Sequence, residues 1–295
     1  MKPSTESAGK ITAEILLRLE AIGFRPEEPF QLTSGWASPV YVDCRKLISF
    51  PEERRRILDL AVATLTGAVG KDAFDAIAGG ETAGIPYAAW LAERMDLPML
   101  YVRKKPKGFG RMAQIEGHFE PGARVLLVED LATDGKSKLH FCEALRAAGA
   151  EISHAFVVFH YGIFPEGVAA LKAAGITLHA LATWWDVLEA ASREGTFPET
   201  TLREVRAFLE DPGVWRLLRF EMPDPDTIRR LLDEIEALQD ELAPPEQEIF
   251  EELRLRYAKA ATPVVGDDRS LEVILRNVAV RRQMGLKLKP DGNGS

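Results

Sequence analysis

Five cationic side chains crowd one short stretch, YVRKKPKGFGRMAQIEG, residues 101–117: Arg103, Lys104, Lys105, Lys107 and Arg111, set around Pro106, Gly108 and Gly110. Without a partner they would repel one another. Arginine and lysine on a glycine-hinged loop suit a leaving group that gains negative charge as its bond breaks, because positioned cations stabilise that charge where it develops. Such a loop can also close over a ligand and exclude water. As a purely structural feature it would be a solvated surface connection.

A second stretch, ARVLLVEDLATDGKSK, residues 123–138, reads as a buried strand, two adjacent carboxylates (Glu129 and Asp130), a short loop with Thr133 and Gly135, and a helix start. Strand, loop and helix make an anion cradle, since the amides of a tight turn and the helix dipole favour a phosphate at one spot. Gly135 permits close approach. The two carboxylates would hydrogen-bond vicinal hydroxyls of a ribose or face a magnesium ion, as hard oxygen ligands do. Gly135, Lys136 and Ser137 match half of the P-loop signature, but Asp130 stands where that loop needs glycine, which disfavours a nucleoside triphosphatase.

Two more segments complete the candidate site. In GGETAGIPYAAW, residues 79–90, a glycine-lined strand end runs into Thr82, Ala83 and Gly84 at a helix N-terminus, suited to a second phosphate cluster. In FQLTSGWASPVYVDCRKLIS, residues 30–49, Ser34 and Gly35 make a turn that exposes amides, and Tyr41 and Val42 would offer a ring face and main-chain groups to a flat heterocycle. His118, His140, His154, His160 and His179 show no ligand spacing, so no transition-metal site is expected.

The elements that must position these residues alternate with βαβ rhythm from Phe74 onward. FDAIAGG, a helix from about Ile85 to Met95, LPMLYVR, ARVLLVED, a helix from about Ser137 to Ala148, AFVVFHYG, a helix near Pro165–Ala174 and ITLHALA predict a mostly parallel α/β sheet. The unbroken apolar run Val125–Val128 predicts a central strand covered on both faces. An amphipathic helix is expected over Ile11–Ala21 after a loose tail at residues 1–10, and Trp184 and Trp185 are expected on a helix as packing residues. Past Pro223, Ile228, Leu231, Leu232, Ile235, Leu238 and Leu242 recur at helical spacing, which predicts a helical extension over 223–295 with a disordered end.

With 295 residues, 46% of them apolar, the chain is long enough for a large domain with an appendage. A net charge of −8 leaves no overall basic field for nucleic acid or acidic membranes, so any anion site must be local. Two distant cysteines, Cys44 and Cys142, argue against a disulfide framework or zinc knuckle. The polar stretch MKPSTESAGK lacks the apolar core of a signal peptide and no run reaches about 20 apolar residues. A cytoplasmic protein is expected, with neither membrane nor nucleic acid as a partner.

VEDLATDGKS resembles the phosphoribosyl-diphosphate signature of type I phosphoribosyltransferases, and the segments at 30–49, 79–90 and 101–117 resemble, in order, the base-binding, diphosphate-binding and catalytic-loop segments of orotate phosphoribosyltransferases. The resemblance covers about residues 11–220. It implies a type I phosphoribosyltransferase-like fold, a mostly parallel central sheet flanked by helices with N-terminal hood elements, over residues 11–222. It implies Arg103, Lys104 and Lys107 as catalytic residues. Thr82, Ala83, Arg103, Lys104, Lys107, Phe109 and the run Glu129, Asp130, Leu131, Ala132, Thr133, Asp134, Gly135, Lys136, Ser137 would bind 5-phosphoribosyl-1-diphosphate, and Ser34, Gly35, Tyr41, Val42 and Thr133 would bind orotate. Magnesium is implied, with Asp130 a weak, indirect contact, as is a homodimer whose loops reach into each other's sites.

Some positions depart from the family pattern. Phe109 replaces a histidine and can neither donate a hydrogen bond nor shuttle a proton. Thr33 replaces a lysine, Lys136 a glycine and Asp134 a small residue; Asp134 is expected to turn outward as a helix N-cap. The arginine that meets the orotate carboxylate in some members would fall near His160 and Tyr161, and Arg45 or Lys46 is the candidate substitute. A sugar-diphosphate sensor without turnover, or a transferase for another base, is the alternative reading.

Overall fold

The computed structural model of the chain describes residues 7–31, 37–106, 114–133, 135–213 and 215. Helix α1, Ala8–Arg18, starts earlier than its apolar spacing suggested because the Ser7 side chain accepts from the Lys10 amide and caps it. The expected tail is thereby shortened. The helix also ends at Arg18 rather than Ala21: Glu20 turns left-handed at φ 52°, and the Lys46 ammonium donates to the Leu19 and Glu20 carbonyls at 3.1 and 2.9 Å. Lys46 is thus committed to a helix end.

Short strands follow. β1, Ile22–Phe24, pairs antiparallel with β4, Val40–Val42, and β2, Phe30–Gln31, with β3, Ala37–Ser38. A 3-10 helix, Cys44–Ser49, leads into α2, Pro51–Val69. Nineteen residues long, α2 has only Ile57, Leu58, Ala61 and Leu65 as its buried residues, so its apolar stripe is too thin to predict the helix from spacing.

The main sheet holds β5, Ala76–Gly80; β6, Met99–Val102; β7, Ile115–Glu116; β8, Arg124–Ala132; β9, Glu151–His160; and β10, Thr177–Thr183. Their spatial order is β10-β9-β8-β5-β6-β7, parallel throughout except for β7. Val125–Val128 are all buried, as the unbroken apolar run required. Alternate residues face opposite helices. Ala76, Ala78, Val125 and Leu127 pack with Phe141 and Leu145 of α4, Lys136–Ala147, and Leu171 of α5, Pro165–Ala173, while α3, Gly84–Met95, lies against β5 and β8.

Helices α6, Trp184–Glu194, and α7, Glu199–Glu210, complete the described elements. Trp184 is fully buried, with its ring 5.0 Å from Phe159 and 5.4 Å from Tyr161, whereas Trp185 is 38% exposed and is not the packing residue expected. Adjacent helix positions point about 100° apart, so only one of the pair can face the core. The chain divides into two units, Met1–Arg206 and Ala207–Ser295. The extension expected over 223–295 lies outside the described residues. Among those described, no helix is long and apolar enough to cross a membrane.

From β5 the chain passes to β6 on one side and later to β8 on the other. The gap between β5 and β8 is therefore a topological switch point, and the carboxyl ends of parallel strands at such a point form a ligand crevice. At the opposite end, Arg124 locks the two strands together: its backbone amide and guanidinium donate to the Asp75 carboxylate at 2.7 to 2.9 Å. These hydrogen bonds hold the Asp75 carboxyl at about 2, below its ordinary 3.8. A depressed carboxyl contributes stability above its unfolded value and loses it as pH falls through the folded one. Asp75→Asn should lower the melting temperature at pH 7, with the difference from wild type closing between about pH 4 and pH 2 in a series of thermal melts.

Candidate active site

The crevice is built on missing side chains. A Cβ at Gly79 would lie 2.7 Å from the Cα of Ile85, one at Gly80 would meet Glu129 Oε1 and the Phe141 ring at 2.7 Å, and one at Gly84 would run into the Val128 carbonyl. Gly79 and Gly84 let the N-terminus of α3 seat itself between β5 and β8, and Gly80 makes room for Glu129 and Phe141 on the opposite face. Ala83 is its N-cap residue and no side chain caps the helix; Ile85 donates to Thr82 O at 3.3 Å and Pro86 has no amide, which leaves the Gly84 amide as the first-turn donor for an anion beside Thr82. The Glu81–Thr82 peptide is cis.

Next to it stands the root of the cationic loop. Glu81 donates its amide to Val102 O at 2.9 Å and accepts the Lys104 amide on its carboxylate at 2.8 Å, so the ends of β5 and β6 are tied together. Gln114 closes the loop's base: Arg103 donates its amide to Gln114 O at 2.8 Å, and the Gln114 side chain donates back to Arg103 O at 3.0 Å. The Arg103 guanidinium is 3.4 Å from Glu116, and the His140 ring, on α4, is 3.0 Å from Lys104 O. Arg103 and Lys104 thus sit at the carboxyl end of β6. Lys107, Phe109 and Arg111 lie outside the described residues.

Glu129 and Asp130 are in β8, which continues through Leu131 and Ala132 in register with Phe159 and His160. Glu129 is 7% exposed and Lys138, in α4, 5%. Their charges meet at 2.6 Å, and Ser137 adds a hydrogen bond to the same carboxylate oxygen at 3.1 Å. Lys138 also donates to the Leu131 carbonyl. Burial, and then the neighbouring Glu129, push the Asp130 carboxyl up, while Lys138 pulls it down. Gly135, at φ 75°, has the Gly167 carbonyl 3.1 Å from where a Cβ would stand, so a side chain there would be strained and crowded. The N-cap position of α4 is Gly135, not Asp134 as expected, and it provides no side-chain cap. Asp134 and the side chain of Lys136 are outside the described residues. Thr133 is half-buried at the mouth of this loop.

At the base end, Tyr41 is partly exposed, with its ring 5.3 Å from Phe30 and its hydroxyl accepting from Arg45 at 3.2 Å. Arg45 also binds Asp43 at 2.8 Å. The side chain of Val42 is buried, and Val42 is in register with Ile22 in the β1–β4 pair. Ser34 and Gly35 lie outside the described residues. Tyr87 donates its hydroxyl to Cys44 O at 2.6 Å, and burial, with the charge of Asp130 next, pushes the Cys44 thiol up. The segment after β4 therefore borders the acidic end of β8. Tyr161, buried and without a cationic group, fills the expected arginine position, and its amide donates to Ala132 O at 2.9 Å.

Sequence reasoning missed Glu81, Gln114, His140 and Lys138. For Lys138 a signal existed: it shares the stripe Lys138, Phe141, Cys142, Leu145, at helical spacing, and a lysine on an otherwise apolar face needs a buried partner. Glu81, Gln114 and His140 act through pairings across strands that spacing along the chain does not reveal.

The strand order, the glycine-seated helix and the acidic strand end with its phosphate loop define a type I phosphoribosyltransferase α/β fold. Comparison with known proteins narrows this. No protein-family model matches the chain. A Cereibacter sphaeroides protein named orotate phosphoribosyltransferase is 57% identical over 214 residues, 72% of this chain and 92% of that protein, and one from Roseobacter denitrificans is 54% identical over 72% and 95%. The crystal structure of orotate phosphoribosyltransferase from Aeropyrum pernix is similar at a TM-score of 0.54 and 33% identity, covering 63% of this chain and 99% of that one. The structure of Leishmania donovani UMP synthase gives 0.58 at 28% identity, covering 68% of this chain and 42% of that one. The chain belongs to the orotate phosphoribosyltransferase family.

Gly84→Ala would force the added methyl against the β8 backbone. It should cost about 1–3 kcal/mol in urea unfolding, as overpacking does, and it should weaken diphosphate binding because the α3 amides move outward.

Proposed function

We propose that the chain joins orotate to 5-phosphoribosyl-1-diphosphate, giving orotidine 5'-monophosphate and diphosphate. The observation that carries this reading is the convergence at one switch point of the three elements such a donor needs: the α3 N-terminus, the root of the cationic loop at Lys104, and the acidic end of β8 with its loop. The amides from Leu131 to Ser137 hold the 5-phosphate, with Glu129 and Asp130 towards the ribose hydroxyls. Thr82, Ala83 and the α3 N-terminus receive the diphosphate. Orotate lies against Ser34, Gly35, Tyr41, Val42 and Thr133, with the exposed guanidinium of Arg45 the nearest described candidate for its carboxylate.

The C1–O bond breaks with its electron pair leaving on the diphosphate, and orotate N1 forms the new bond from the opposite face through an oxocarbenium-like transition state, its N1 proton passing to solvent. Arg103, Lys104 and Lys107 stabilise the charge on the departing oxygen. No covalent intermediate with the chain is required. Among the described residues no group of three His, Cys, Asp or Glu side chains could hold a metal. Asp130 fits the indirect contact of an ion carried mainly by substrate oxygens. Magnesium bound in that way supplies charge neutralisation on the diphosphate.

The protein acts as a cytoplasmic homodimer in which each cationic loop reaches the partner's site. Residues 11–222 form the transferase domain. Mixing the purified protein with magnesium, the sugar diphosphate and orotate, and following orotate's ultraviolet absorbance, tests the reaction. Turnover supports it; binding of the sugar diphosphate without turnover supports the sensor instead. Lys107→Ala should lower turnover about 10²–10³-fold, the cost of removing one charge-stabilising donor, with a much smaller change in sugar-diphosphate affinity by calorimetry.

A further inference from the structure

We infer that Lys138 is a positioning residue for the sugar-diphosphate site, fixing the Glu129 carboxylate and the Leu131 carbonyl so that the phosphate loop is held ready for its ligand. The inference rests on the transferase reading above. Lys138 is 5% exposed. Its ammonium carries three donors, and three acceptors meet it: Glu129 Oε2 at 2.6 Å, Ser137 Oγ at 3.2 Å and the Leu131 carbonyl.

These acceptors bracket the loop. Glu129 is the first acidic residue of β8, Leu131 is where the strand turns towards the loop, and Ser137 opens α4 beyond it. A single buried cation therefore ties the entry and exit of the loop to one point. The Glu129 carboxylate is held by both Lys138 and Ser137 on one oxygen, and its other oxygen is the one that abuts Gly80. That oxygen lies on the α4 face of β5, opposite the face on which Gly79 seats α3, so Lys138 acts on the phosphate loop through Glu129. Among the described residues, the other charged or titratable groups facing this corner are Asp130 on β8, His160 at the end of β9, Cys142 on α4 and Arg45 after β4.

Removing the ammonium leaves the Glu129 carboxylate buried with only a hydroxyl partner, and the loop loses its shared anchor. Lys138→Met should raise the KM for the sugar diphosphate about ten- to a hundredfold, the range for outer partners that orient binding groups, with a much smaller change in the KM for orotate. Lys138→Arg should restore most of the loss. In a Glu129→Gln background, adding Lys138→Met should change the sugar-diphosphate KM less than about twofold, since its partner's charge is already gone. The double variant carries no unpaired charge and serves if Lys138→Met alone does not fold. A rise in both KM values together, an effect on the melting temperature alone, or full additivity in the double variant would overturn the inference. A wild-type chain with no orotate turnover fails the transferase reading instead; calorimetric binding of the sugar diphosphate to wild type and Lys138→Met then reads the role of Lys138 on its own.

Discussion

Helix α3 reaches the gap between β5 and β8 because Gly79 and Gly84 carry no side chains, and the rest of the site depends on that approach. With a Cβ at either, backbone would have to move. The approach brings uncapped helix amides to the carboxyl end of a buried parallel sheet, where the amides and the dipole favour an anion. The glycines weaken the strand and the helix locally. The packing of α3 against β5, β6 and β8 compensates for that cost.

Around this point the molecule uses charge sparingly. The chain is acidic overall, yet the crevice gathers a phosphate loop, the cationic loop's root and one buried ammonium. Lys138 neutralises Glu129 where burial alone would expel the charge, and Lys104 is held by its backbone amide, so its side chain is not spent on structure. For Lys104, structural fastening and ligand recognition are thereby assigned to different atoms. At the far end of the same strands, the exposed Asp75–Arg124 pair fixes β5 against β8 without touching the site.

Much of this was legible along the chain. The βαβ rhythm, the covered strand Val125–Val128 and the start of α3 after Ala83 are local patterns, and they were read within a residue or two. The four ordered motifs also pointed to the family that the comparisons give. What escaped were features set by tertiary contact: α2, whose buried stripe is thin; the exposure of Trp185 beside a buried Trp184; the capture of Lys46 by the end of α1; and the fastening of Glu129 by Lys138. Each is a side chain committed to a partner distant in sequence or hidden by its own polarity. The N-cap of α4 falls on Gly135 because the left-handed turn there, pressed on Gly167, requires glycine at that place whatever precedes it.

Amide hydrogen exchange with and without 5-phosphoribosyl-1-diphosphate and magnesium reads whether the ends of β5, β6 and β8 form one anion site. Slowed exchange is expected in three separated stretches together: residues 79–86, residues 103–105 and residues 131–138. Protection confined to one of them, or appearing at the amino ends of the same strands, would contradict it.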